Sequence, residues 1–196
     1  MVLLHTVVGL YGKGKTKMQL KDFIKTYDNF LDSASCDMLM GAFEKNRPHH
    51  VEKHDTELYK FEQLNLNRSG MSKMALNILQ GISPFFDTYF TELGVSDYIG
   101  VQSFEEVRIK KYYKNSDYQF KTHIDVSDAP TSKRYVVAIV YLNDNDGVTS
   151  FPQLDCSITP KKGSVVIFPP NWQYLHAGGI PTDHDKYILM TYLNFT

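Results

Sequence analysis

The sequence contains few cysteines and arginines and has no long apolar run. Two cysteines, Cys36 and Cys156, are too few for a disulfide framework or a cysteine-rich zinc site. No apolar stretch approaches the ~20 residues that span a bilayer, and the N-terminus lacks the basic segment of a signal peptide. We therefore expect a soluble, cytoplasmic protein with no membrane partner.

Excess charge of either sign is also missing. The 21 Lys and Arg residues nearly balance the 22 Asp and Glu residues, so bulk charge gives no reason to expect a nucleic-acid partner. With 196 residues, of which 42% are hydrophobic, the chain can bury a core of its own. We predict an N-terminal extension at residues 1–22, a strand with a basic turn, followed by a single domain at residues 23–196.

The first half of this domain, residues 23–98, shows helical patterns. Asp32 can cap a helix in which apolar residues recur every three or four positions. A second pattern of this kind runs to a stop at Gly94, and Pro84 inside it predicts a kink or a split into two pieces. The polar segment 47–67 between the helices has no clear period. It is predicted to be a long connection with a short edge strand.

The second half, residues 99–196, has the pattern of strands separated by turns. Such strands without intervening helices indicate an antiparallel sandwich or jelly roll. The fold class predicted for the chain is therefore mainly β with N-terminal helices (α+β). The predicted strands are Val107–Tyr113, Arg134–Leu142, Val148–Phe151, Ser164–Phe168 and Lys186–Phe195.

Three residues could form a metal site. His123 and Asp125 are two residues apart, so on one strand their side chains would project from the same face. His176 follows 53 residues after His123, next to small residues. Two histidines and one carboxylate can occupy one face of an octahedral metal and leave three positions open, as in non-haem Fe(II) oxygenases. Zinc hydrolysis is possible with the same ligands.

Lys186 favours the oxygenase interpretation over hydrolysis. A 2-oxoglutarate-dependent oxygenase chelates the keto acid through its C1 carboxylate and C2 carbonyl. The distal C5 carboxylate then needs a cation and a hydroxyl donor some distance from the metal. Lys186, ten residues after His176, can supply the cation, and Tyr141 can supply the hydroxyl.

From about Phe23 to Phe195 the sequence resembles the prolyl-4-hydroxylase-like branch of Fe(II)/2-oxoglutarate oxygenases. Six pieces carry this resemblance, and they come in the order that the family has. They are Ile24-Lys-Thr-Tyr-Asp-Asn-Phe-Leu, Tyr113 ten residues before the His-x-Asp triplet, Tyr141-Leu-Asn, Gly147-Val-Thr-Ser-Phe-Pro, Pro160-Lys-Lys-Gly-Ser-Val-Val-Ile-Phe, and His176 with Lys186 ten residues later.

The resemblance implies a fold and a set of site residues. The fold is a double-stranded β-helix, a jelly-roll and cupin-like core at residues 99–196 that helices at residues 23–98 support. By the family's pattern, the iron is held by His123, Asp125 and His176. The C5 carboxylate is bound by Lys186, and the co-substrate is also contacted by Tyr141, Tyr113 and Thr149.

The resemblance also implies an activity. The enzyme would hydroxylate an unactivated C–H bond, by default in a prolyl residue of a peptide or protein, with succinate and CO2 as co-products. The implied cofactors are Fe(II), 2-oxoglutarate as co-substrate and O2, with ascorbate in addition. The sequence departs from the family at Asp146, where glycine is usual, at Phe120, where a tyrosine is usual, and at the displaced Pro181. These departures concern the substrate pocket more than the iron site.

Two other interpretations remain open. Residues Gly9–Thr16 match the phosphate-binding pattern G-x-x-x-x-G-K-[ST], in which Lys15 would reach a terminal phosphate. That loop needs strands and helices that alternate around a parallel sheet, whereas residues 99–196 alternate strands with turns. The second alternative is a β-helix domain that has kept its ligands but serves as a non-catalytic binding module.

Overall fold

The structure, a computed structural model, describes residues 17–100 and 102–196. The predicted extension at residues 1–22 and the Gly9–Thr16 match lie mostly or wholly outside these residues. Two α-helices and twelve strands are described, together with three short 3-10 helices. In chain order they are β1 (Lys25–Tyr27), α1 (Ser33–His50), β2 (Val51–Asp55), β3 (Lys60–Asn65), α2 (Ser72–Leu93), β4 (Gln102–Phe104), β5 (Arg108–Tyr112), β6 (Phe120–His123), β7 (Arg134–Tyr141), β8 (Thr149–Phe151), β9 (Cys156–Ile158), β10 (Val165–Phe168), β11 (His176–Gly178) and β12 (Lys186–Phe195).

The first helix begins where the sequence predicts and ends later than expected. Asp32 caps α1, since its Oδ1 accepts a hydrogen bond from the backbone N–H of Ser35 at 2.7 Å. The helix continues to His50, and β2 and β3 follow as an antiparallel hairpin. The predicted long connection at residues 47–67 is therefore wrong: most of that segment is the end of a helix and a hairpin.

The second helix is one element. α2 runs through Pro84 without a break, so the predicted split is wrong. It ends at Gly94, whose φ of 68° is the left-handed conformation that glycine adopts without strain. No helix within residues 17–100 and 102–196 has the length and hydrophobicity needed to cross a membrane.

The strands form two sheets. The larger sheet has the order β1-β10-β7-β12-β5-β3-β2, with β4 paired to one end of β12, and the smaller sheet has the order β6-β11-β8-β9. Every pairing between the described strands is antiparallel. These two sheets and two helices confirm the predicted class, mainly β with N-terminal helices around a jelly-roll core.

The larger sheet is covered on both faces. Along β7, Val136, Ala138 and Val140 pack with the helices, whereas Val137 and Ile139 belong to a second cluster between the sheets. β10 and β12 alternate in the same way. Because side chains on a strand point to opposite faces in turn, each central strand of this sheet contributes to both layers. The layer between the sheets holds the candidate site.

One glycine is required by the turn that joins the helical layer to the sheet. Gly163 has a φ of 79°, and a Cβ atom built on it would lie 2.1 Å from the backbone oxygen of Leu31. The Gly163 carbonyl oxygen also accepts a hydrogen bond from the N–H of Leu31 at 3.0 Å. Any side chain here would separate these two segments, which explains glycine at the end of the Pro160–Gly163 turn.

Candidate functional site

The candidate metal ligands lie where two strands of the smaller sheet meet. His123 is the last residue of β6 and His176 is the first residue of β11, and the strand pairing places the two directly opposite each other. Asp125 lies just beyond the end of β6, where its N–H donates a hydrogen bond to the carbonyl oxygen of Pro170 at 3.1 Å. The residues that the sequence analysis selected are therefore brought together.

The three side chains converge on one point. His123 Nε2 lies 3.2 Å from Asp125 Oδ1, and His176 Nε2 lies 3.6 Å from Asp125 Oδ2. One ligand atom from each residue can be chosen so that all three lie within 4.8 Å of one another. The side chains are only 5% to 6% exposed. Such spacing allows all three atoms to bind a single ion.

Neighbouring groups hold both imidazoles in a ligating orientation. His123 Nδ1 is 2.7 Å from the carbonyl oxygen of Lys121, and His176 Nδ1 is 3.0 Å from that of Tyr174. A carbonyl can only accept, so each Nδ1 carries the proton and each Nε2 is left with a free lone pair. The ring of Phe120 also stacks on His123, with a centroid separation of 3.4 Å.

Burial and charge keep these groups in the protonation states that a metal needs. Burial lowers the pKa of His176 to about 4, with Asp125 opposing the change, so this imidazole is neutral near pH 7. Burial alone would raise the pKa of Asp125. The neighbouring His123, His176 and Lys110 side chains outweigh burial and hold the pKa of Asp125 below its ordinary value. The result is an ionised carboxylate between two imidazole nitrogens.

The environment of Asp125 fits a cation. Its Oδ2 atom is buried and has no hydrogen-bond partner among the described residues. An unpartnered, buried carboxylate oxygen is costly, and a metal ion at the centre of the cluster would satisfy it. Two imidazoles and one carboxylate are also the donor set that non-haem Fe(II) favours when part of its coordination sphere stays open.

Lys186 lies at the inner end of the same cavity. It is 2% exposed, and its Nζ donates a hydrogen bond to the carbonyl oxygen of Gly147 at 2.5 Å. No carboxylate among the described residues pairs with it, and burial lowers its pKa to about 7. Tyr141 and Thr149 lie close by: the Tyr141 hydroxyl donates to Thr149 Oγ1 at 2.9 Å, and Lys186 Nζ is 5.9 Å from the Tyr141 ring centroid. This end of the cavity suits a carboxylate.

Tyr113 lies elsewhere. Its hydroxyl donates to Glu62 Oε2 at 2.8 Å and is hydrogen-bonded to Arg47, on the side of the sheet away from the cavity. The preceding residue, Tyr112, lines the cavity and lies directly opposite Lys186 in the β5–β12 pairing. Strand alternation along β5 explains the difference, since only every second residue faces the cavity.

Lys110 is a second inward-facing residue that the sequence analysis missed. It lines the cavity beside the three candidate ligands and also lines an outer cleft. The floor and walls of that cleft include His54, Arg108 and Arg134. The alternation of β5 could have identified Lys110 and Tyr112, had both faces of this strand been known to be buried.

A family model matches the second half of the chain. Residues 107–194, which contain all three candidate ligands and Lys186, match the model of the 2OG-Fe(II) oxygenase superfamily, where 2OG is 2-oxoglutarate. The matched segment covers somewhat less than half of the chain, and it supports a dioxygenase, an enzyme of the oxidoreductase class. The family implies Fe(II), 2-oxoglutarate and O2, and the cluster of His123, Asp125 and His176 has the residue types that such an enzyme needs.

Several solved structures with the same fold are prolyl hydroxylases. The viral collagen prolyl hydroxylase of Paramecium bursaria Chlorella virus-1, in complex with 2-oxoglutarate, is 21% identical and matches with a TM-score of 0.68 over 89% of this chain and 97% of its own. A Pseudomonas putida prolyl-4-hydroxylase is 13% identical, with a TM-score of 0.66 over 89% of this chain and 93% of its own. A Trichoplax adhaerens prolyl hydroxylase, in complex with a hypoxia-inducible-factor peptide fragment, is 13% identical, with a TM-score of 0.65 over 88% and 83%. No curated protein shows significant sequence similarity to this chain.

Proposed function

We propose that this oxygenase hydroxylates a prolyl residue in a peptide or protein. One molecule of 2-oxoglutarate and one of O2 would be consumed for each hydroxyl group formed, with succinate and CO2 as co-products. The observation that carries the proposal is the cavity itself. The cluster of two histidines and one carboxylate lies at one end of this cavity. The buried Lys186, which pairs with no carboxylate among the described residues, lies at the other end.

Each residue has a defined role in this proposal. His123, Asp125 and His176 hold the iron, and Lys186 binds the C5 carboxylate of 2-oxoglutarate by a charge-assisted hydrogen bond. Tyr141 and Thr149 extend the polar surface beside Lys186. Bound Fe(II) with its co-substrate supplies the oxidising chemistry that inserts one atom of O2 into a C–H bond.

Tyr113 has no contact with the co-substrate in this proposal. It is hydrogen-bonded to Glu62 and Arg47 on the far side of β5, whereas Tyr112 lines the cavity opposite Lys186. The family pattern suggests a co-substrate contact for Tyr113, and we assign that contact to Tyr112 instead. Ascorbate, a cytoplasmic location and the domain boundary at residue 23 stay predictions from the sequence.

The prolyl substrate is supported by the fold and by the cleft. The structures with this fold described above are prolyl hydroxylases, and one of them holds a peptide. In this chain a cleft lined by Tyr59, Phe61 and Phe120 leads from the surface to the candidate ligands His123 and Asp125. Aromatic walls suit the apolar ring of proline, and an open cleft lets a peptide lie across the metal site.

Neither alternative accounts for the site. A nucleotide-binding loop at Gly9–Thr16 needs a parallel sheet behind it, and all pairings between the described strands are antiparallel. A non-catalytic module has no physical need to keep an unpartnered carboxylate oxygen on Asp125 and an unpaired ammonium on Lys186, since both cost stability.

Spectroscopy under anaerobic conditions tests the iron and co-substrate roles. Titration of the apoprotein with Fe(II) and then 2-oxoglutarate should produce the weak visible charge-transfer band of a chelated keto acid. The band should be absent in His176→Ala and should need far more 2-oxoglutarate in Lys186→Met, with Lys45→Met as an exposed control. If saturating Fe(II) and 2-oxoglutarate give no band in the wild type, the proposed function fails.

A second assay tests the substrate. Proline-containing peptides incubated aerobically with Fe(II) and 2-oxoglutarate should gain one oxygen atom, located on proline by tandem mass spectrometry. Succinate should form in equal amount. Hydroxylation of another residue type, with proline left unmodified, would retain the dioxygenase class and reject the prolyl assignment.

A further inference from the structure

Lys110 lies at the junction between the co-substrate end of the cavity and the outer cleft. On β5, Arg108, Lys110 and Tyr112 face inward in alternation, and Lys110 is paired with Ile188 of β12. Lys186 is one step further in, opposite Tyr112. Two residues along a strand span roughly 7 Å, so Lys110 is displaced from Lys186 by about that distance toward the cleft.

The Lys110 ammonium has no polar partner among the described residues. Lys110 is 7% exposed, and its described contacts are with aromatic faces: Nζ lies 4.2 Å from the Phe61 ring centroid and 5.4 Å from that of Phe120. The nearby acid Asp125 attracts it electrostatically but forms no ion pair with it. A buried ammonium without a hydrogen-bond acceptor reduces stability, so the fold alone gives no reason for it.

The neighbouring cations of β5 are all engaged. Arg108 pairs with Glu105 and Glu106, and Lys111 pairs with Glu44 at 2.7 Å. Arg134, across the cleft, is bonded to Glu105 as well. Lys110 is the cation of this cleft that lacks a carboxylate, in the part of the chain that the structure describes.

The charge of the cleft points to the kind of group that Lys110 binds. Its lining includes two arginines and Lys110, and a single acid, Asp125, which the proposed function assigns to the iron. Under the same assignment Lys186 binds the C5 carboxylate of 2-oxoglutarate, and the iron binds its C1 carboxylate and C2 carbonyl. Lys110 is then left for a group that enters through the cleft with the substrate.

Resting on the proposed function, we propose that Lys110 determines substrate specificity by binding a carboxylate of the substrate beside the residue that is hydroxylated. The carboxylate has two possible sources with the same chemistry: an acidic side chain next to the proline, or the free C-terminus of a peptide that ends in proline. Binding would replace the aromatic contacts of the ammonium by a charge-assisted hydrogen bond, which is the stronger interaction in a desolvated site.

Binding of matched peptides tests this role without turnover. The protein is loaded anaerobically with Fe(II) and 2-oxoglutarate, and the charge-transfer band confirms loading. Two peptide pairs are compared by calorimetry: blocked Gly-Pro-Asp-Gly against Gly-Pro-Asn-Gly, and Gly-Gly-Pro with a free against an amidated C-terminus. The first pair tests the side-chain source and the second tests the terminal source.

We expect the carboxylate member of one pair to bind ten- to a hundredfold more tightly than its amide partner, the range typical of a hydrogen bond to a charged group. Lys110→Met should remove that preference and leave affinity for the amide peptide and for 2-oxoglutarate unchanged. Lys110→Arg should restore part of it. Lys45→Met, an exposed helix position, is the matched control. In aerobic assays the Lys110→Met effect should fall on KM, with kcat retained.

Four results would overturn the inference. Equal affinities within both pairs in the wild type, or no binding of either carboxylate peptide while the band forms, would show that no carboxylate is recognised. A loss of 2-oxoglutarate affinity in Lys110→Met, with the peptide preference intact, would make Lys110 a contact of the co-substrate. Failure of the band itself in the wild type rejects the proposed function and the inference together, which separates the two cases.

Discussion

Replacing Lys186 by methionine should stabilise the apoprotein while it destroys co-substrate binding. A pKa that falls from 10.5 to about 7 means that burial of the ammonium costs the folded state about 5 kcal/mol, at about 1.4 kcal/mol for each pH unit. Methionine fills nearly the same space without charge but gives up the hydrogen bond to the Gly147 carbonyl oxygen. With about 3 kcal/mol deducted for that charge-assisted bond, the net gain is about 2 kcal/mol.

The pH dependence of this gain has a defined sign. Below pH 7 the folded wild type carries the buried charge, so the full cost is present. Between pH 7 and 10.5 the folded protein has lost the proton that the unfolded chain keeps, and the cost of Lys186 declines as pH rises. The stability difference between Lys186→Met and wild type should therefore be largest at pH 6 and smaller by pH 9.

Urea unfolding of the two apoproteins at pH 6 and pH 9 measures this difference. A parallel series with Fe(II) and 2-oxoglutarate adds the functional readout. A hundredfold excess over Kd should raise wild-type stability by about 2.7 kcal/mol, whereas Lys186→Met should gain far less. Lys45→Met serves as the exposed control. An apoprotein variant that is less stable than wild type at pH 6, or a gain that does not shrink at pH 9, would refute the reasoning about burial.

Four further predictions follow from the same geometry. The affinity of the wild type for 2-oxoglutarate should fall by up to tenfold for each pH unit above about 7, measured with the charge-transfer band, because only protonated Lys186 attracts a carboxylate. Tyr141→Phe should weaken 2-oxoglutarate binding by about tenfold through loss of one hydroxyl donor, and unchanged affinity would remove Tyr141 from the co-substrate site. Phe120→Ala should free the His123 ring and weaken Fe(II) binding by tenfold or more, because groups that orient a metal ligand commonly have effects of this size. Titration with Fe(II) measures the affinity, and an unaltered affinity would contradict the prediction. Gly163→Ala should destabilise the fold by about 3 kcal/mol in urea, because a Cβ would meet backbone 2.1 Å away at a φ of 79°, and a loss below about 1 kcal/mol would contradict this.

The sequence was most informative where a local rule applies to a single residue. The Asp32 cap and the Gly94 stop were predictable because cap and left-handed positions favour particular residues. The ligand cluster was predictable from the residue types and spacing of His123, Asp125 and His176 and from the family resemblance, and the β6–β11 pairing then places His123 opposite His176. For the cap and the stop, a local rule about one residue type decides the outcome.

The error in the segment 47–67 came from charge that the fold buries. Glu62 looks like a surface residue, yet its side chain is 1% exposed and pairs with Arg47 at 3.0 Å. Polar residues on β3 therefore hid the period of a strand that is covered on both sides. Tertiary pairing decides which charged residues are buried, and the sequence alone does not show that pairing.

Burial of charged residues also explains why the sequence analysis did not select Lys110, and it indicates what this residue does. Val107 and Ile109 alternate with Arg108 and Lys110, a pattern typical of a strand with one apolar face and one solvated face. The structure covers both faces of β5: the apolar positions pack toward the helices, and the cations point into the space between the sheets. If this face of β5 served stability alone, apolar residues would be favoured there, because burying ammonium groups costs free energy. Cations kept there are better explained by what they bind, and for Lys110 no such partner lies among residues 17–100 and 102–196.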